Sequence, residues 1–160
     1  MRLKKFALVG VLFMSIASLS ACGGSSVPNA SANLPSVTGA AGSAPTIGGP
    51  SGTPPTTLQT KDIIVGTGPE AVATSTMTVH YTLMAWSTGK VVESSWDGGQ
   101  PATFPLANVI LGWQQGIPGM KVGGRRLLVI PPDLGYGAAG GGPIGPNETL
   151  IFVVDAIAIQ

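Results

Sequence analysis

The chain has 160 residues, a formal charge of +1 and only 9% charged side chains, with 24 Gly and 14 Pro. That length excludes more than one ordinary domain once non-globular parts are set aside. A single cysteine excludes an intrachain disulfide, and the lack of a basic stripe argues against nucleic acid as a partner.

The first segment in chain order reads as a leader, residues 1–21. "MRLKK" is a basic n-region, "FALVGVLFMSIASL" an apolar core, and "LSAC" a small-residue cleavage site. The apolar run is shorter than the roughly 20 residues a spanning helix needs, so a removed signal peptide fits better. Leu19-Ser20-Ala21-Cys22 resembles the bacterial lipobox, which implies that Cys22 carries lipid and tethers the mature chain to a membrane of the cell envelope. Three of the eight basic residues (Arg2, Lys4 and Lys5) leave with this leader, so the mature chain is slightly acidic.

Residues 22–57 follow as the lipidated cysteine and a tether of Gly, Ser, Ala, Pro and Thr. So little apolar surface cannot offset chain entropy, which predicts disorder. A flexible segment of this length spans ~30–35 Å.

Residues 58–160 read as one domain made mostly of short strands with turn signals between them. "KDIIV" ends at Gly66. "TMTVHYTLMAW" alternates Thr78, His80 and Thr82 with Val79, Tyr81 and Leu83. "STGK" is a hairpin turn, and "VVESS" returns from it. "PATFPL" is kept short and edge-like by its prolines. "NVILGWQQGIPGM" breaks the pattern. Asn108 is the predicted N-cap, Val109, Ile110, Trp113 and Ile117 recur near helical spacing, and Pro118-Gly119 stop a necessarily short helix. "RRLLVI" and "TLIFVVDAIAI" are two more strands. The first puts Arg125 and Arg126 on opposite faces. The second, apolar on both sides, is predicted to be central. One short helix among five or six antiparallel strands predicts an α+β fold with the helix on one face of a curled sheet.

Three stretches, "VHYTLMAWSTGKVVESS", "VILGWQQGIPGMKVGGRRLLVIPPDLGYG" and "GPIGPNETLIFVVDAI", resemble the successive signatures of FKBP-type peptidyl-prolyl isomerases. The match is ordered and covers nearly all of residues 58–160. The resemblance implies an antiparallel half-barrel sheet wrapped around one helix, with an apolar cleft between them and no cofactor or metal. It further implies proline-containing polypeptide clients, weak binding of a tacrolimus- or rapamycin-like macrolide, and a monomer. Carried over by motif, Tyr81, Glu93, Trp113, Tyr136 and Phe152 form the catalytic set. Val92, Phe104, Val109, Ile110 and Ile144 bind substrate. Within these sets Trp113 is the floor, the Ile110 N–H holds a ligand carbonyl, the Tyr136 hydroxyl meets a substrate carbonyl, and Ile144 rides on the overhanging loop "GAAGGGPIGPNET". His80, the only histidine, is expected to be structural, having no second His or Cys with which to share a metal.

The residue types suit this chemistry. Rotation about a peptide bond meets a barrier of ~18–20 kcal/mol. In the twisted transition state the nitrogen lone pair leaves conjugation and the amide loses dipole. A dry apolar cleft favours that state over the planar one without nucleophile or proton shuttle.

The chain also departs from the family pattern. Val92-Glu93 stand where Phe-Asp is usual, Ala102 and Leu134 where aromatics are common, and Gly98 where some members carry a base. These changes predict a wider, less aromatic cleft. They sustain the alternative of a non-catalytic chaperone or surface binding module built on the same fold. Retention of Tyr81, Trp113, Tyr136 and Phe152 favours catalysis.

Overall fold

A computed structural model describes residues 34–160. The predicted leader, Cys22 and the first part of the predicted tether lie outside the described residues. Eight strands and one α-helix follow in the order β1 (Val37–Thr38), β2 (Thr46–Ile47), β3 (Gln59–Ile64), β4 (Thr76–Ala85), β5 (Lys90–Ser94), β6 (Ala102–Pro105), α1 (Leu111–Gly116), β7 (Arg125–Ile130) and β8 (Leu150–Ile159). No helix among the described residues is long and apolar enough to cross a membrane.

The main sheet is antiparallel and six-stranded, in the order β3-β7-β8-β4-β5, with β6 also pairing to β4. β8 lies between β7 and β4, as its two-sided apolar pattern requires, and Leu150 to Ala156 are all buried. The far edge of β4 is shared. Its first half, Thr76–Val79, pairs with β6 and its second half, Thr82–Ala85, with β5. Pro105 ends β6 against Thr76, where a strand lacking an N–H is tolerated.

Alternation divides the sheet into two faces. Val79, Tyr81 and Leu83 of β4 stand opposite Ala156, Val154 and Phe152 of β8, and with Leu128 and Ile130 they pack around Trp113 and Ile117. Thr82 and Met84 stand opposite Val153 and Ile151 and, with Leu127 and Val129, form the outer face. The two arginines divide likewise. Arg125 lies on the outer face, fully buried, with Nε donating to Asp155 Oδ1 at 2.8 Å. Arg126 lies on the helix face. Its guanidinium donates to both oxygens of Asp62 (2.6 and 3.1 Å) and caps α1 through the Gly116 and Pro118 carbonyls (2.9 and 3.2 Å).

The prediction of disorder over 22–57 is corrected where the structure begins. Residues 34–48 form a strap across the outer face, closed by the β1-β2 pairing and a Gly48 N–H donated to Ser36 O at 2.8 Å. Leu34, Val37 and Ile47 pack against the cluster of Met84, Trp86, Leu127, Val129, Ile151 and Val153. The turn between the strands is gripped by Arg125, whose Nη1 and Nη2 donate to Gly39 O (3.1 Å) and Ser43 O (2.6 Å). The segment packs on the sheet and has no core of its own. It joins an apolar face the sheet already supplies, and so needs few apolar side chains, Leu34, Pro35, Val37 and Ile47. Burial pushes the Asp155 carboxyl above the ordinary carboxylate range, while Arg125 pulls it back down.

The helix also starts later than predicted. Asn108 ends a 3₁₀ turn (Leu106–Asn108), and the N-cap is Ile110, whose side chain caps nothing. α1 lies hard against β7, since a Cβ on Gly112 would stand 2.4 Å from Ile130. Only glycine permits that approach.

Candidate active site

Between α1 and the sheet opens a cavity of about 440 Å³ lined by Tyr81, Leu83, Glu93, Phe104, Asn108, Val109, Ile110, Trp113, Tyr136 and Phe152. That size falls within the range of ligand-binding pockets, roughly 300–1,000 Å³. β4 supplies Tyr81 and Leu83, β5 Glu93, β6 Phe104 and β8 Phe152, because each sits at a helix-facing position of its strand. The backbone leading into α1 brings Asn108, Val109 and Ile110 to the rim.

Trp113 is 4% exposed and central. The rings of Phe152, Tyr81 and Phe104 surround it at centroid distances of 5.3, 5.8 and 5.9 Å, with interplanar angles of 83°, 83° and 90°. Edge-to-face pairs of this kind contribute ~0.5–1.5 kcal/mol each beyond area burial. The indole N–H is buried without a hydrogen-bond partner among the described residues, so the ring serves the cavity as a surface.

The cavity's one internal polar pair is closed on itself. Tyr81 Oη donates to Glu93 Oε1. Burial, with Glu93 second, pushes the Tyr81 phenol far above its usual range, so it stays protonated at any working pH. No imidazole, amine or thiol among the described residues lines the cavity. Among the described residues, no three His, Cys, Asp or Glu side chains come together as a metal site. His80 lies on the outer face, stacked on Trp96 at 3.8 Å with Nδ1 against Ser95 Oγ at 3.0 Å.

The glycine-rich loop after Tyr136 is held in place. Glu148 accepts from the Ser87 N–H (3.0 Å) and hydroxyl (2.6 Å), and Gly141 and Ile144 exchange backbone hydrogen bonds at 2.9 Å. Gly140 turns the chain at φ +69°, where a Cβ would meet Ile144 O at 2.4 Å. Tyr136 remains 43% exposed where it lines the cavity.

Of the ten residues predicted for the cleft, eight line the cavity: Tyr81, Glu93, Phe104, Val109, Ile110, Trp113, Tyr136 and Phe152. The other two do not reach the wall. Val92 is a half-buried neighbour of the helix-side core, and Ile144 is 7% exposed within that core, drawn inward by its bonds to Gly141. Two lining residues escaped the sequence reading. Leu83 follows Tyr81 by two positions, so strand alternation alone signals it. Asn108 has the chemistry of a helix cap, which masks its place on the cavity wall.

A family model described as FKBP-type peptidyl-prolyl cis-trans isomerase matches residues 68–157. The chain is 54% identical over 106 residues to an FK506-binding protein of Streptomyces anulatus, covering 64% of this chain and 86% of that one. It is 42% identical over 104 residues to the outer membrane protein MIP of Legionella longbeachae, covering 64% of this chain and 44% of the relative. The crystal structure of FkpA from Escherichia coli superposes with a TM-score of 0.61 at 37% identity, over 64% of this chain and 48% of that one.

Proposed function

The chain belongs to the FKBP-type peptidyl-prolyl cis-trans isomerase family, and from that premise we propose that its cleft rotates X-Pro bonds in polypeptides outside the cytoplasm, from a lipid-tethered position. Its activity is that of the family, peptidyl-prolyl isomerisation. The observation that carries the mechanism is the floor of Trp113 ringed by three aromatic side chains, with Tyr81 and Glu93 engaged with each other.

The proline ring rests on Trp113, and the prolyl amide lies in an environment that offers its planar dipole little solvation. As the C–N bond twists, charge separation falls and that disadvantage shrinks, so the cleft binds the transition state better than the ground state. Each 1.36 kcal/mol of such preference gives about tenfold in rate. The Ile110 N–H and the Tyr136 hydroxyl hold carbonyls flanking the rotating bond. A tacrolimus-like macrolide would occupy the same cleft, weakly, because aromatic walls are sparse around Ala102 and Leu134.

A protease-coupled assay on a prolyl tetrapeptide tests this reading. The rate should be nearly flat between about pH 6 and 8, since Tyr81 holds its proton throughout and the reaction transfers none. Tyr136→Phe should lower kcat/KM by about tenfold or less with the fold intact, as expected for one lost neutral hydrogen bond of ~0.5–1.5 kcal/mol. A bell-shaped profile centred on neutrality, or an unaltered rate in Tyr136→Phe, would contradict the roles assigned here.

Tethering through Cys22 is supported by the lipobox and by a relative whose name places it in an outer membrane. Several acyl chains anchor firmly, at ~0.8 kcal/mol per buried CH₂. The full-length protein should fractionate with membranes and be processed in a globomycin-sensitive manner. Cys22→Ala should release it, and a Cys22→Ala protein still in the membrane fraction rules out this attachment.

A further inference from the structure

We propose that Gln114 is a positioning residue for the reaction, its side-chain amide clamping the Val109 carbonyl so that the Ile110 N–H is aimed into the cleft. Three observations on adjacent peptide groups carry this. First, the Ile110 N–H has no hydrogen-bond acceptor among the described residues, although Ile110 lines the cavity. Second, Gln114 Nε2 donates to Val109 O at 2.7 Å and, more weakly, to Ala107 O at 3.4 Å. Third, the Gln114 backbone N–H donates to Ile110 O at 3.2 Å. The peptide before Ile110 is therefore held by the Gln114 side chain, and the peptide after it by the main-chain N–H groups of Trp113 (2.9 Å) and Gln114.

The Val109 carbonyl and the Ile110 N–H belong to the same peptide group. That group is planar and trans, so its C=O and N–H point in opposite directions. Holding the carbonyl on the helix side turns the N–H away from it, toward the cleft. Accepting a hydrogen bond at the carbonyl also polarises the peptide and strengthens the N–H as a donor. Among the described residues no other side chain donates to the Val109 carbonyl.

The site also selects the residue type. Both groups facing the amide are carbonyl oxygens, so only its NH₂ end satisfies them. An ionised glutamate, equal in size, has no proton to donate and would face two oxygens. Gln115, the next residue, is exposed and provides a matched control for charge.

This inference rests on the reading of the Ile110 N–H as a substrate donor, so the experiment separates the two. Gln114→Glu, Gln114→Met and Gln115→Glu are compared with the unsubstituted protein. The measurements are kcat and KM on a prolyl tetrapeptide, thermal stability, and the ¹H–¹⁵N resonance of the Ile110 amide with and without that peptide. Both Gln114 variants should lose about threefold to tenfold in kcat/KM. In both, the Ile110 resonance should shift without ligand and respond less to peptide. Gln115→Glu should match the unsubstituted protein. If the Gln114 variants match Gln115→Glu in rate and leave the Ile110 resonance unmoved, Gln114 has no positioning role. If the resonance ignores peptide even in the unsubstituted protein, the donor role of Ile110 itself fails, and the inference with it. The neutral Met variant keeps the test decisive should Gln114→Glu fold poorly.

Discussion

Trp113→Ala is expected to lower kcat/KM by about a hundredfold or more and to cost ~3–5 kcal/mol of stability. The upper end of that range is the better expectation here. A void left by the indole can shrink only if α1 settles toward the sheet, and Gly112 already brings the helix to its closest approach to Ile130. The rings of Tyr81, Phe104 and Phe152 lose their common partner at the same time. The cavity is open at its mouth, so water would enter and solvate the planar amide. That erases the differential on which the rate depends, and ~2.7 kcal/mol lost from it is a hundredfold. Trp113→Leu separates packing from surface. It keeps an apolar floor and, because the indole N–H has no partner, leaves no polar group orphaned. Its activity should fall between the two. Rates must be taken at a temperature where each variant is folded by circular dichroism. A folded Trp113→Ala with kcat/KM within threefold of the unsubstituted protein would sink the proposed floor.

The family motifs point to the cleft residues, and strand alternation adds the facing of the four on strands, Tyr81, Glu93, Phe104 and Phe152. Alternation in "TMTVHYTLMAW" puts Tyr81 on one face and His80 on the other, and the structure keeps them apart in that way. The two-sided apolar run of "TLIFVVDAI" marks β8 as central, which brings Phe152 under the helix. What escaped lies where backbone, not pattern, decides. Asn108 has the chemistry of a cap, yet it ends a 3₁₀ turn short of the helix start and lies on the cavity rim. Ile144 has a loop's neighbours in sequence but is pulled into the core by a local turn. The Gln114 clamp depends on one peptide's orientation, which no periodicity encodes. The strap escaped for a different reason. Composition measures whether a segment can fold alone, and residues 34–48 fold onto something else.

Removing that strap is expected to destabilise the domain by about 2–4 kcal/mol while leaving isomerase activity intact. Leu34, Val37 and Ile47 are each partly buried against the outer face, and fully burying such a side chain is worth ~1.5–3 kcal/mol. The two bonds from Arg125 to Gly39 O and Ser43 O add less than their charged character suggests, because water can replace them once the strap is gone. Activity should persist because the strap lies on the face opposite the cleft, and a chain beginning at residue 51 keeps every cavity-lining side chain. Arg125→Met tests the clamp from the other side and should cost more, ~3–5 kcal/mol, since it leaves Asp155 buried without its counter-charge. That cost carries a pH signature. The Asp155 carboxyl is already raised by burial, and loss of Arg125 raises it further. The folded variant therefore prefers the neutral acid. Its penalty is full above the raised folded value and fades as pH falls toward the unfolded value near about 3.9. Chemical denaturation of the three proteins at pH 7 and pH 4 decides the matter. Equal stability with and without residues 34–50 would mean the strap only rests on the sheet, whereas an Arg125→Met penalty that does not shrink at pH 4 would mean Asp155 is not the group left unpaired.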